Sequence, residues 1–247
     1  MPRVFVVSAL ILVALSIADQ YLAGNPRLPG FGGDYLRLSK SSAAQLSVEF
    51  GMTFLRMLVS AYIAVAVHRF VLLEEATRGI SNIFTAHFWS FLAWSVAIAI
   101  VLTVVDLPIP AILRIAGIGL SVFVLFRLVL TFPAIAVGAR IANPVELIRQ
   151  SVLRTRGNAL RIFFAYVVAI LPVIVALFGY WLLTFILFDV AEASGADSRT
   201  KLIQIIAGMF GHMVAPVLGV FATACAASVA SCAYGVALER EGREVGV

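Results

Sequence analysis

Few residues in this chain are of a type and spacing that perform reactions. The histidines His68, His87 and His212 stand in separate segments, without carboxylates at the spacing a metal site requires. There is no H-E-x-x-H, G-x-S-x-G, phosphate-loop or G-x-G-x-x-G pattern. Gly30-Phe31-Gly32-Gly33 follows Pro29 but lacks the Lys and Ser/Thr of a phosphate cradle, and reads as a turn. Cys225 and Cys232 lie two helical turns apart in one apolar segment, as two small reduced packing residues rather than a disulfide or metal pair. These observations predict no catalytic residues, no metal, no cofactor and no enzymatic activity.

Ionisable residues within apolar stretches carry more information, because burying charge in a bilayer is expensive and such residues mark candidate sites. Arg127 lies within Leu125-Phe126-Arg127-Leu128-Val129, Arg56 within a second apolar stretch and His212 within the last. An arginine at mid-span costs about 3 kcal/mol on an insertion scale, which its Leu, Ile, Phe and Val neighbours offset. Two readings remain open. The arginines face a ligand, or they snorkel and hydrogen-bond backbone carbonyls. Arg127 stands less than two turns before Pro133, whose ring deprives the Val129 carbonyl of its usual donor, and a nearby guanidinium has donors to spare. Glu49, Asp106 and Asp189 fall at the edges of apolar windows, which argues against a carboxylate relay. The arginines suit an anion or a lipid head group better.

The elements that position these residues follow from composition. Of 247 residues 62% are apolar and only 13% charged, with a mean hydropathy of +1.04, whereas soluble domains carry about 45–50% apolar and about 25% charged residues. So little charge cannot cover the surface of a water-soluble globule, and lipid must solvate it. The net charge of +5 is small, mostly arginine and not interleaved with aromatics, so no nucleic-acid partner is expected. A crossing needs about 20 apolar residues, and about six windows qualify: 4–22, 50–73, 88–105, 109–137, 160–188 and 209–238. No window alternates as a barrel strand does. The expected fold is all-α, a single polytopic membrane domain over 1–247, a bundle of about six transmembrane helices. The first window is short, and Ser16-Ile17-Ala18 resembles a signal-peptidase site, but Arg3 alone makes a poor n-region; a retained helix is expected. The last window is expected to begin as an interfacial helix near Lys201.

Arginine placement sets the orientation. With the N-terminus inside, Arg3, Arg69, Arg78, Arg140, Arg149, Arg154, Arg156, Arg161, Arg240 and Arg243 are cytoplasmic. Arg27, Arg37, Lys40, Arg114, Arg199 and Lys201 lie opposite. The bias puts both termini in the cytoplasm. Between the fourth and fifth windows, Asn143 is a good N-cap, Pro144 suits the first helical position and Glu146 completes a capping-box pattern. Val145, Ile148 and Val152 then share a face, Gly157 stops the helix and Asn158 caps the next. This is a short amphipathic helix expected on the cytoplasmic surface, with Arg149, Arg154 and Arg156 touching anionic lipid head groups. Small residues line the last window, among them Gly219, Ala222, Ala226 and Ala230, as tight helix packing requires. Pro172 and Pro216 are potential kinks. A faint repeat pairs Ala64–Val67 with Ala134–Val137, and Phe91–Ile98 with Phe163–Ile170.

His68-Arg69-Phe70-Val71-Leu72-Leu73-Glu74-Glu75, Arg127-Leu128-Val129-Leu130-Thr131-Phe132-Pro133-Ala134 and the later Thr155-Arg156-Gly157-Asn158 resemble a pattern in a family of uncharacterised bacterial multi-pass inner-membrane proteins. That layout loosely resembles the membrane domain fused to some glycerophosphodiester phosphodiesterases, over roughly 67–175, with no counterpart of their soluble catalytic domain. The resemblance implies a six-helix bacterial inner-membrane protein and no activity. Two function classes are therefore expected. One is a non-enzymatic accessory, scaffold or regulatory protein of the cell envelope, working through lipid, a membrane-protein partner or a second copy. The other is a small transporter or channel for an anionic or amphipathic solute.

Overall fold

The computed structural model describes residues 1–22, 43–74, 85–103, 111–138, 143–193 and 197–245. The Gly30–Gly33 turn, Arg27, Arg37, Lys40, Arg78, Asp106 and Arg140 lie outside them. Among the described residues the regular structure is all helix: α1 (Pro2–Leu22), α2 (Ala43–Leu73), α3 (Ala86–Thr103), α4 (Ala111–Leu128), α5 (Thr131–Ala136), α6 (Pro144–Arg154), α7 (Ala159–Ala193) and α8 (Asp197–Val245). Four carry stretches long and apolar enough to cross a membrane: Pro2–Asp19, Phe50–Leu73, Ala159–Ile186 and Met213–Gly242; Ala86–Ile100 and Phe123–Ala136 are shorter apolar helices. The protein is an all-α polytopic membrane bundle.

Helix α7 shows why lipid must be the solvent. Its mean hydropathy reaches 2.7 over Ala159–Ile186, yet Phe164, Val168, Val175, Phe178 and Leu183 are all more than half exposed. A helix apolar on every side and barely covered by protein is stable only in hydrocarbon.

Two expectations about continuity fail. The window 109–137 is not one helix, because α4 ends at Leu128 and α5 begins at Thr131. Pro133 lacks the N–H that would bond Val129 and its ring crowds the turn before it, so the helix breaks there instead of bending. The last window shows no separate interfacial segment; α8 runs unbroken from Asp197 past Lys201 to Val245, with Pro216 inside it. Pro172 likewise stands inside continuous α7.

The chain divides into two compact units, with boundaries inside α2, α7 and α8. One holds 2–60 and 171–222. Its buried positions are sparse, with Val4, Ser8 and Leu12 recurring on one face of α1, joined by Met52, Val173 and Val220. The other holds 61–170 and 223–247 and contains the denser core. There Ala61–His68 is buried without interruption, together with Phe88, Phe91, Leu130, Ala134–Ala136, Ala230, Ser231 and Tyr234. Phe91 of α3 meets Phe132 of α5 at 4.9 Å between ring centroids, and Phe126 of α4 meets Phe163 and Tyr166 of α7 at 5.2 and 5.6 Å. Both halves of the Ala64–Val67 and Ala134–Val137 likeness are largely buried. Their settings differ, one inside α2 and the other closing α5.

Helix α6 forms as its sequence dictates. The Asn143 side chain accepts from the Val145 N–H at 2.9 Å and Pro144 takes the first helical position. The second half of the expected capping box is redirected, since the Glu146 carboxylate accepts from Arg149 and Gln150 along the helix. Gly157 adopts φ +77, the left-handed conformation that glycine tolerates. The Asn158 carbonyl then accepts from Ile162 to open α7.

Candidate functional site

The break after α4 leaves carbonyls of its last turn without intrahelical donors. Helix α6 packs across that end and supplies one: Ser151 Oγ donates to the Arg127 carbonyl at 2.7 Å. In return the Arg127 guanidinium reaches the Val152 carbonyl in the last turn of α6, at 3.4 Å, and lies over the Phe123 ring at 5.2 Å. Arg127 thus serves a freed carbonyl, though not the one expected beside Pro133. It caps the partner helix, where positive charge also complements the helix dipole. Arg69 does the same for α5, donating to the Ala136 carbonyl at 3.3 Å.

Arg56 has a carboxylate partner that the sequence reading overlooked. Its Nη2 lies 2.6 Å from Asp19 Oδ2, with the two side chains 41% and 29% exposed. Asp19 closes the first apolar stretch and Arg56 lies near the start of the second, so the two approach one level if the helices run antiparallel. The His212 side chain lies outside the described residues.

The three arginines expected to touch lipid, Arg149, Arg154 and Arg156, have different surroundings. Leu147, Ser151 and Thr155 form the buried stripe of α6, and Arg154 shares that inward side. Its Nε and Nη2 grip both oxygens of Glu241 in α8 at 2.7 and 3.0 Å, and its guanidinium lies over the Tyr234 ring at 5.2 Å. The Glu241 carboxylate holds the Arg154 pKa above its ordinary value, against the opposing effect of burial. With its side chain only 14% exposed, Arg154 is a structural fork between α6 and α8. Arg149 is exposed on the other face with Val145, Val152 and Leu153, and Arg156, in the turn after α6, is exposed as well.

Two further features had no signal in the sequence. His68 Nδ1 of α2 and Ser231 Oγ of α8 are 2.7 Å apart, and both residues are almost completely buried. The second is a groove of about 700 Å³ between the α6–α7 turn and the C-terminal half of α8. Arg154, Arg156, Arg161 and Arg240 all line it; Arg56 and Arg127 do not. No group of His, Cys, Asp and Glu among the described residues is arranged to hold a metal ion, and both cysteines are free. No family model matches the chain, and neither does any curated protein or solved structure.

Proposed function

We propose that this chain is a non-enzymatic accessory, scaffold or regulatory protein of a bacterial cytoplasmic membrane, with both termini in the cytoplasm, acting through lipid and neighbouring membrane helices. The carrying observation is the outer face of α6. Val145 is 69% exposed and Leu153 54%, and exposed Arg149 and Val152 fall on the same side at helical spacing. Apolar side chains interleaved with arginine suit the boundary between acyl chains and anionic head groups. The engagement of Arg56 by Asp19 and of Arg127 by Val152 favours this reading over transport, because each arginine already has a partner within the protein.

The test is the depth of α6. In a background with Cys225 and Cys232 replaced by Ser, spin labels at Val145→Cys and Leu153→Cys in nanodiscs should relax faster with oxygen, which concentrates in lipid, than with a water-soluble nickel complex. Stronger relaxation by the nickel complex would sink the interfacial placement. Arg127-dependent uptake of an anionic amphiphile into proteoliposomes would replace the accessory reading with the transporter.

A further inference from the structure

The groove between the α6–α7 turn and α8 has a polarity. Arg156, Arg161 and Arg240 stand where the candidate spans Ala159–Ile186 and Met213–Gly242 begin and end. Ile162, Val229 and Val236 line it within those spans. Along α8 the lining extends from Ser228 to Glu241, about 20 Å at 1.5 Å per residue. The Glu241 carboxylate is already gripped by Arg154. Among the described residues Arg156, Arg161 and Arg240 have no ion-pair partner.

We propose that this groove holds one anionic phospholipid, its phosphate among Arg156, Arg161 and Arg240 and an acyl chain along the Val229–Val236 face of α8. Guanidinium groups bind phosphate oxygens in forked pairs, and three unneutralised ones at head-group level call for an anion. A small soluble anion would satisfy the rim and leave the apolar trough bare, whereas a lipid covers both. Arg154 and Glu241 form a fixed wall beside this site and are not part of the phosphate contact. The site deepens the reading of a protein that acts through lipid. It also fails separately, since bound lipid is read here and the depth of α6 is read above.

The protein is taken from nanodiscs of equal parts phosphatidylglycerol and phosphatidylcholine into mild detergent, and retained lipid is weighed by native mass spectrometry. One phosphatidylglycerol should remain in preference to phosphatidylcholine. Its retention should fall about fivefold for each guanidinium removed in Arg156→Gln, Arg161→Gln and Arg240→Gln, while Arg3→Gln, outside the groove, retains it. Should the triple variant fail to fold, Arg240→Gln alone must show its single step. Cys232 is exposed and lines the groove, so in a Cys225→Ser background phosphatidylglycerol should slow its alkylation, and Arg240→Gln should weaken that protection. Equal lipid retention by wild type and a folded triple variant would overturn the proposal. So would equal protection of Cys232 by soluble glycerol phosphate, which would make this a small-anion site.

Discussion

Replacing Ser231 by Ala removes one oxygen and tests whether the His68–Ser231 contact holds α2 against α8. The two side chains meet at 2.7 Å, with Ser231 0% and His68 2% exposed, so no solvent can substitute for the lost hydroxyl. Interhelical hydrogen bonds in membrane proteins average about 0.6 kcal/mol and reach about 1.7. Leaving a buried polar atom without a partner costs about 1–3 kcal/mol in water-soluble proteins. Full burial puts this pair toward the upper end of the membrane range, and we expect Ser231→Ala to cost about 1–1.5 kcal/mol. That is roughly a five- to thirteenfold loss in the folded-to-unfolded ratio. His68→Leu should cost more, because the imidazole also packs on Phe91 at 5.9 Å between centroids. Within the double-mutant cycle, the coupling between the two changes should recover most of the Ser231→Ala cost.

Equilibrium unfolding by steric trapping in bicelles measures these values, and α8 supplies its own control. Ser228, one turn earlier, spends its hydroxyl on the Ala224 carbonyl of the same helix at 2.8 Å. Ser228→Ala should therefore change stability by less than about 0.5 kcal/mol. If Ser231→Ala matches Ser228→Ala and the coupling with His68 is nil, the bond does not hold α2 to α8 and the reasoning is wrong.

Thr131 is buried and its hydroxyl has no partner among the described residues, so Thr131→Val should be neutral or stabilising by up to about 1 kcal/mol in the same assay. Gly138 has φ +73, and a Cβ there would lie 2.8 Å from His87 Nε2, whereas Gly157 has φ +77 and open space. Gly157→Ala should cost only the backbone term of about 1 kcal/mol, and Gly138→Ala more; adding His87→Ala should erase the difference. Ser151→Ala orphans the Arg127 carbonyl and should cost about 1–2 kcal/mol, with faster proteolysis around α6. Reporter fusions after Gly33, Ile80, Leu107, Asn143 and Ala196 should alternate out, in, out, in, out, and two neighbours on one side would refute the topology.

What could be read from the sequence was what neighbouring residues decide among themselves. Asn143, Pro144, Gly157 and Asn158 act within a turn of their own positions, and α6 begins and ends where they place it. Apolar length likewise located the long helices. The break before Thr131 was harder, because a proline in an apolar run either bends a helix or ends it. Here Ser151 takes up the carbonyl of Arg127, and Ser151 lies 24 residues away in another helix. Asp19 with Arg56, His68 with Ser231 and Arg154 with Glu241 are separated by 37, 163 and 87 residues. Such pairings depend on which helices become neighbours and in what register, and apolar periodicity does not encode that.

The arginines show why the charge of a membrane segment does not by itself identify a site. Each guanidinium near a bilayer must offset its desolvation, and the described residues show two ways of doing so. Arg56 and Arg154 pair with carboxylates. Arg69 and Arg127 donate to carbonyls at the ends of other helices, where the dipole adds to the attraction. Those four have partners within the described chain. Arg156, Arg161 and Arg240 are exposed around one groove, and no described carboxylate accounts for them. Structural arginines are recognisable because a protein atom completes them. Arg156, Arg161 and Arg240 lack such a partner among the described residues, and beside an apolar trough the anion we propose for them is a phospholipid.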